Sequence, residues 1–452
     1  MKKELKIYFL FATLFGLLGT PVLAYDFGVQ NADGITLYYD YINEGKELGL
    51  ARENSYNNYK ELQGKVLRIP SEVTFKGRTR KVTQIQKYAL AYALMTEVSL
   101  PPTIKRICSY AFYDCDRLKV LNIPDNTEII EECILGGVRL NKITIGKGLK
   151  KVGRQHFGTT LISDSVIVKD LNSFLKIEYY DCNFFHWYAG DISKRLMFDS
   201  NYNLITDLVL PEGITKIGGS LKGCKSIRSV RIPTSITEID DSAFCECKNL
   251  SNIYWHDNIT RIGESAFEHC PISNVVLPQN LITIDDLAFS YCTLSVIEIP
   301  DKVERIGWKT FDGNNLEMVV LPQSLKGGIG IGAFYSSENL LTVISNIVNP
   351  ALCPPGNYWG DGSFSYAFNK NTLMNATLYV PVGTKSKYES AKGWKDFVFI
   401  EEGIPNEIDV TNYVVTNNQK YYNLYGYPSS HPHKGINIER MSDGSIKKVF
   451  VK

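Results

Sequence analysis

A short phrase recurs along this chain at almost constant spacing, and its recurrence limits the fold more than any other feature of the sequence. The phrase contains a small residue, a phenylalanine and, three residues later, usually a cysteine, as in SAFCEC, SAFEHC and LAFSYC. Its phenylalanines stand at 244, 267, 289, 311 and 334, which gives steps of 22 or 23 residues. A fixed period in this range is typical of a solenoid, in which each repeat forms one coil.

The pattern within the repeat predicts a role for each position. Alternating apolar residues around Ile253 predict a short, half-buried strand. The remaining apolar positions are expected to face an interior shared between coils, because one repeat cannot bury its apolar side alone. The glycine after the second isoleucine is expected to allow a turn. One complete copy consists of Leu250, Ile253, Trp255, Ile259, Ile262, Ala266, Phe267 and Cys270.

The consensus L-x-x-I-x-I-P-x-x-V-x-x-I-G-x-x-A-F-x-x-C resembles that of the BspA-type leucine-rich repeat family, which are exported surface proteins of anaerobic Gram-negative bacteria. Segments outside the repeat add to the resemblance, including AYDFGVQNADGITLYY, VIVKDLNSFLKI and ATLYVPVGTKSKYESAKGWKDFVFI. The resemblance implies a β-rich leucine-rich repeat solenoid of parallel strands and 22–23-residue coils, with an N-terminal β cap and a small C-terminal β tail. It also implies adhesion to host matrix or to other bacteria, whereas the repeat pattern alone indicates only a rigid binding scaffold.

The chain is expected to contain five segments. The C-terminal one resembles segments of exported proteins that are sometimes sorting signals, and both a sorting segment and a plain β tail remain open. The expected segments are a signal peptide (1–24), an N-terminal cap (25–65), the solenoid (66–402) with irregular coils at 158–206 and a closing unit at 346–402, a linker (403–418) and a C-terminal tail (419–452).

The N-terminus has the composition of an export signal. Lys2, Lys3 and Lys6 precede the apolar run IYFLFATLFGLLG, and small residues stand near Ala24. The run is shorter than the ~20 residues that a membrane span requires, and no later segment is apolar enough to cross a membrane. The expected location is therefore secreted or cell-surface. The formal net charge of +1 lacks the basic excess of a nucleic-acid-binding protein.

Ten cysteines in an exported chain would normally suggest disulfides, but five of them occupy one position of the repeat. That position holds Asn314 and Ser337 in later copies, which indicates a small buried site whose side chain meets backbone groups. Disulfides between successive coils are geometrically allowed but not required. Cys245 lacks partners at zinc-ligand spacing. The five structural cysteines are Cys115, Cys224, Cys247, Cys270 and Cys292.

The sequence favours a protein without catalytic activity, cofactor or metal. It contains no phosphate-binding loop, EF-hand or metalloprotease motif. Paired acids recur in one turn of the repeat, as at Asp240–Asp241 and Asp285–Asp286, which indicates a structural role. Two alternatives centre on the irregular coils at 158–206. One is an enzyme using His186, Asp181 and Asp191, and the other is a glycan-capture accessory with Trp187, Tyr188 and Trp359.

The outward face of the predicted strands is the expected binding surface. Solenoid strands form long surfaces for partners, and Arg and Tyr are favoured in binding hot spots. The expected partner is a protein, either host matrix or a bacterial surface protein, and a glycan remains an alternative. The candidate residues are Arg231, Tyr254, His256, Val276, Glu298 and Val320.

Overall fold

The structure is a computed structural model that describes residues 25–53, 59, 62–153, 161–179, 196–215, 217, 221–358 and 364–403, and the backbone of four later strands. The predicted signal peptide and nearly all of the predicted linker lie outside the described residues. The chain divides into two compact units. The first is formed chiefly by residues up to 181, and the second chiefly by residues from 191 on.

Each regular coil contributes two short strands, and equivalent strands of successive coils pair in parallel. The longer strand belongs to what we call the first ladder, where Leu208, Val230 and Ile253 are in register. The shorter strand belongs to the second ladder, where Ile262 pairs with Ile284. These central residues are buried, since alternation turns them toward the interior. The parallel stacking confirms the predicted β-rich solenoid.

The first unit begins with an antiparallel sheet edge, followed by coils. Strand β3 (Glu47–Leu50) joins the last antiparallel strand to the parallel ladder through its pairing with β6 (Arg78–Ile85), and β5 (Glu72–Phe75) forms a hairpin with β6. The strands at this edge are β1 (Phe27–Gln30), β2 (Thr36–Ile42), β3 (Glu47–Leu50) and β5 (Glu72–Phe75). The first ladder contains β4 (Val66–Arg68), β7 (Glu97–Ser99), β9 (Val120–Asn122) and β11 (Arg139–Ile145), and the second contains β6 (Arg78–Ile85), β8 (Arg106–Ile107), β10 (Ile129–Ile130), β12 (Lys151–Val152) and β14 (Glu178–Tyr179).

The irregular coils retain strands and add one short helix among the described residues. Helix α1 (Leu171–Leu175) begins after Asp170, whose carboxylate accepts a hydrogen bond of 2.6 Å from the Ser173 N–H. Such a cap satisfies a backbone donor that the helix leaves free. Besides β14, the strands of this segment are β13 (Leu161–Val168) and β15 (Leu196–Phe198).

In the second unit the first ladder is divided into two sheets, while the second ladder is continuous. The sheets of the first ladder are β16 (Asp207–Val209), β17 (Ser229–Arg231) and β19 (Asn252–Tyr254), and β22 (Val296–Glu298), β24 (Met318–Leu321), β25 (Thr342–Ser345), β28 (Thr377–Val380) and β29 (Phe399–Glu402). The second ladder contains β18 (Glu238–Ile239), β20 (Arg261–Ile262), β21 (Thr283–Ile284) and β23 (Arg305–Ile306).

The closing coils differ from the regular repeat because they contain a hairpin and two short helices. The hairpin pairs β26 (Gly356–Tyr358) with β27 (Phe364–Tyr366), and the helices are α2 (Lys370–Asn375) and α3 (Lys385–Ser390). Two 3-10 turns stand at Pro350–Leu352 and Trp394–Asp396. Among the described residues, no helix has both the length and the apolar character needed to cross a membrane.

A column of stacked phenylalanines fills the interior of the second unit. The rings of Phe244 and Phe267 lie 5.3 Å apart and nearly parallel, and the same stacking continues to Phe368 with separations of 5.2–5.7 Å. Offset aromatic stacking adds to the apolar area that each ring buries. The column therefore includes one more ring than the regular repeats supply, that of Phe368 in the closing coils.

Four antiparallel strands follow the solenoid in the order β31-β30-β32-β33. We call them the C-terminal sheet. They are β30 (Tyr421–Asn423), β31 (Pro428–Ser429), β32 (Gly435–Arg440) and β33 (Ile446–Val451).

Candidate functional site: the outward face of the first ladder

The first ladder presents one face to the interior and the other away from it. In each strand the middle residue is buried, as are Val230 and Ile297, and the residues on either side point outward because the strand alternates. Register aligns the outward residues of neighbouring coils in rows. One row passes through Val209, Arg231 and Tyr254 and, in the next sheet, through Glu298, Val320, Ile344 and Tyr379.

The face of β16, β17 and β19 is open to solvent and carries a fixed aromatic-cation pair. The guanidinium carbon of Arg231 lies 5.0 Å from the ring centroid of Tyr254, and both side chains are exposed. A cation over an aromatic face is held electrostatically. Beside Tyr254 lies a shallow depression of about 460 Å³. Its other lining residues are polar, namely Asp207, Arg228, Ser229, Asn249, Ser251 and Asn252.

Two of the six candidate residues, His256 and Val276, are half-buried and take part in structural hydrogen bonds. The Nε2 of His256 lies 2.7 Å from the Pro233 carbonyl oxygen, and its Nδ1 accepts a hydrogen bond from the Asn258 N–H. Val276 was expected in a strand, but the structure has none there. Instead, the Val276 carbonyl accepts a hydrogen bond of 2.6 Å from the indole N–H of Trp255. The strand prediction is therefore wrong for this coil.

Val320 lies in a part of the face that is buried. It occupies the same repeat position as Val209, yet Val209 is 61% exposed and Val320 only 7%. It belongs to a cluster that we call the covered cluster. The members are Val296, Met318, Val320 and Ile344, with Tyr379 packed against them. Of this cluster, only Val320 is among the six predicted residues, although apolar residues at successive outward positions in the sequence indicate such a cluster.

Glu298 stands in the same row, next to the covered cluster. Its register partner is Val320. Burial, with a smaller contribution from the nearby Asp301 carboxylate, raises the pKa of Glu298 to about 7. A carboxylate in low dielectric favours its neutral form. The six candidate residues therefore divide into an exposed pair, Arg231 and Tyr254, and residues engaged in the structure.

The repeated cysteines lie in the interior, where most of them join one coil to the one before it. Four of the thiols donate hydrogen bonds of 3.0–3.2 Å to carbonyls of the preceding coil. Asn314 makes the same contact through its side-chain amide, which donates to the Phe289 carbonyl. Burial raises the pKa of Cys292 to about 12. All nine described cysteines are free thiols, and Cys182 lies outside the described residues.

The paired acids form an ion-pair chain along the second ladder. Arg261 contacts both Asp241 at 2.7 Å and Asp285 at 2.6 Å. Arg305 contacts Asp285 at 3.4 Å and Asp286 at 3.2 Å. The carboxylates of Asp241, Asp285 and Asp286 are thus paired with arginines, which agrees with the structural role predicted for the repeated acids.

The residues of both alternative functions fall outside the described part of the chain. This holds for His186, Asp181 and Asp191, and also for Trp187, Tyr188 and Trp359. Within the described part, no group of three or more His, Cys, Asp or Glu residues is placed to hold a metal ion.

A comparison with known protein families identifies the family of this chain. The family model described as the BspA type leucine-rich repeat region matches residues 83–194, 192–271 and 237–349, with six copies. The chain belongs to the BspA-type leucine-rich repeat family. The BspA-type match includes the coils that carry Arg231, Tyr254 and the covered cluster up to Ile344. Among curated proteins, none matches the sequence significantly.

Several solved bacterial structures are similar to this BspA-type chain at low identity. A leucine-rich repeat protein from Bacteroides ovatus is 19% identical, with a TM-score of 0.45 over 84% of this chain and 90% of that one. The pneumococcal vaccine antigen PcpA is 15% identical, with a TM-score of 0.47 over 84% and 100%. A leucine-rich cell surface protein from Faecalibacterium prausnitzii is 16% identical, with a TM-score of 0.32 over 71% and 95%. Likeness at this level carries no inference about binding.

Proposed function

We propose that this BspA-type protein is an exported, non-catalytic scaffold that binds another protein at the cell surface. The contact site is the open face of β16, β17 and β19, centred on Arg231 and Tyr254. The observation that carries the proposal is that pair: two hot-spot residue types, exposed side by side and held over a rigid parallel ladder.

The geometry around the pair suits a protein partner. The ladder fixes the backbone beneath both residues, so little conformational entropy is lost when a partner binds. The adjacent depression is lined by hydroxyl, amide and carboxylate groups, which can form the polar rim that surrounds a hot spot. Arg231 supplies a planar donor for carboxylates of the partner.

Export and adhesion rest on the sequence and on the family. The lysines and apolar run before residue 25 support export. BspA-type membership favours a host matrix protein or a bacterial surface protein as the partner. The C-terminal sheet is a candidate sorting segment within the same proposal.

The test is binding of the mature chain, residues 25–452, to a panel of immobilised host matrix and bacterial surface proteins at physiological salt. Saturable binding to one member is expected. Arg231→Glu and Tyr254→Ala should each weaken that binding at least about ten-fold, the typical effect of losing a hot-spot residue. Tyr335→Ala is the matched control, since Tyr335 is exposed like Tyr254 but lies in a turn outside the first ladder.

Three results would count against the proposal. Binding that neither Arg231→Glu nor Tyr254→Ala changes would place the contact site elsewhere. Equal loss in the Tyr335→Ala control would indicate a general effect of tyrosine removal. A panel without any saturable binding would remove adhesion to these partner classes.

A further inference from the structure

The covered cluster is unusual because outward side chains of a solenoid strand normally face solvent. Met318 is 3% exposed, and Val296, Val320 and Ile344 are also buried. Neighbouring strands stand about 4.8 Å apart, so they shield the flanks of an outward side chain but not its tip. Burial of this extent requires atoms above the sheet.

In the closing coils, the hairpin β26–β27 and the helix α3 make their described hydrogen bonds to other parts of the coils. The hairpin β26–β27 bonds to the turn side of the preceding coil, where the Gly332 N–H donates to the Tyr366 carbonyl. The hydroxyl of Tyr388, in α3, donates to the Ile347 carbonyl, and the side chain is fully buried. Tyr379 in β28 packs against the covered cluster, but it is the register partner of Ile344 and so lies beside the cluster in the sheet, not above it.

The C-terminal sheet has the charge and composition to be the cover. Residues 421–452 contain Lys434, Arg440, Lys447, Lys448 and Lys452 against Glu439 and Asp443, an excess of three positive charges. The outward positions of β22 to β29 contain Glu298 and Glu401 and no lysine or arginine. In the C-terminal sheet, Ile436 is the register partner of Phe450 and Ile438 is that of Lys448, so apolar and basic residues occur together along a short antiparallel sheet. The apolar residues of such a sheet can pack on an apolar face, and its basic residues can pair with acidic groups at the margin of that face.

The connection is long enough for this contact. The eighteen residues 403–420 join β29 to β30, and such a segment spans up to about 60 Å when extended. The strand β24 is three positions from β29 in its sheet, which corresponds to about 14 Å. The C-terminal sheet can therefore reach the covered cluster without strain.

We propose that the C-terminal sheet packs on the outward face of β22, β24, β25 and β28 and occupies it. The chain would then keep part of its own strand face closed, and cleavage in residues 404–420 or displacement of the sheet would open it. The inference concerns the same ladder as the proposed binding function, but it requires no external partner and its test uses none.

The test follows oxidation of Met318 in the mature chain by hydroxyl-radical footprinting and mass spectrometry. A sequence-specific protease site is introduced within residues 404–420, and the intact chain is compared with the cut chain after the tail is removed by gel filtration. Two methionines provide controls: Met374 is 48% exposed and Met197 is buried. We expect Met318 to react at least about ten-fold more slowly than Met374 in the intact chain, and to approach the rate of Met374 after cleavage.

A variant on the face itself makes the test independent of cleavage. Val320→Arg places a charge at an outward position, where it should displace the sheet without disturbing the interior, and it should expose Met318 in the uncut chain. Carbodiimide should also couple Glu401 to Lys447 or Lys448 in the intact chain, and these links should be lost in Val320→Arg.

Defined results would overturn the proposal. Met318 that reacts like Met374 in the intact chain would show an open face. Met318 that stays protected after the tail is removed would show that the solenoid covers it unaided. Protection that falls on dilution of the intact chain would identify a second copy as the cover. Loss of partner binding in Arg231→Glu changes none of these readouts, so the two proposals fail separately.

Discussion

In most coils, two residues of the turn adopt the left-handed conformation, and most of these residues are not glycine. One precedes the small-Phe pair and the other precedes the cysteine position. In one coil these are Ser265 and His269, with φ of 53° and 60°. Left-handed φ costs a non-glycine residue about 1 kcal/mol, so stacking between coils must offset the cost. His269, for example, stacks on Tyr291 at 4.7 Å.

The glycine after the second isoleucine has a different role from the one the sequence suggested. A Cβ at Gly263 would lie 2.7 Å from the backbone nitrogen of Asp241 in the preceding coil. The position is therefore small because two coils approach closely there, and the turn is made by other residues. The repeat pattern identified the residue type correctly but not its physical reason, since a consensus does not distinguish positive φ from close contact.

Glu298 predicts a pH dependence of stability. Burial and Asp301 raise its pKa from 4.5 to about 7, so the native state favours the protonated form. Well below pH 4.5, where the carboxyl is protonated in both states, it does not change the free energy of unfolding. Its destabilising effect grows as the pH rises to 7. Stability should therefore fall across this window by at most about 3 kcal/mol. Glu298→Gln should remove that part of the fall and raise the urea midpoint at pH 8.

The matched control is Glu401→Gln, because Glu401 occupies the same row but is exposed. Urea midpoints at pH 5 and pH 8 give the comparison. The urea midpoint of the parent chain should fall more between pH 5 and pH 8 than that of Glu298→Gln. An equal fall in both would mean that the Glu298 carboxyl is not destabilising.

Among the elements, the break in the first ladder has an identifiable cause. In regular coils, a backbone N–H just after the strand donates to the next coil, as Ile232 does to Tyr254 and Ile299 to Val320. At the break, the corresponding carbonyl of Val276 accepts from the indole of Trp255 instead. The large side chain thus replaces the backbone donor and separates two sheets.

This break predicts a difference in hydrogen exchange. The backbone amide of Trp255 should exchange faster than those of Ile232 and Ile299, because only the latter two donate ladder hydrogen bonds. Trp255→Leu, which restores a residue type found at this position in Leu277 and Leu321, should slow the exchange of residue 255. Exchange that is equally slow in the parent chain and the variant would contradict the indole explanation.

The elements that the sequence predicted are those fixed by period and alternation. The coils, their short strands and the recurring phenylalanines follow from patterns of two or about twenty-two residues. The helices α1, α2 and α3 did not, since five or six residues are too few to show helical periodicity. The covered cluster was also missed, because burial of an outward residue depends on contacts distant in sequence.

For the whole molecule, stability of a stacked array is a sum of coil and neighbour contributions. The ion-pair chain, the cysteine contacts and the phenylalanine column each join one coil to the next. No single coil is therefore essential, provided that its removal keeps the two ladders and the column in register. The binding face and the fold are also separable, because outward residues such as Arg231 do not contribute to the interior.

An in-phase deletion tests this independence. Removing residues 300–321 deletes one period and joins Ile299 to Pro322, so that the isoleucine-proline junction of the repeat is preserved and Phe289 comes next to Phe334 in the column. We expect this variant to keep its β circular dichroism and to unfold cooperatively, at a somewhat lower urea midpoint. The control deletion of residues 300–310 removes half a period, shifts every later interior residue out of register and should abolish cooperative unfolding. Equal behaviour of the two deletions would mean that the repeat register does not determine the stability of the solenoid.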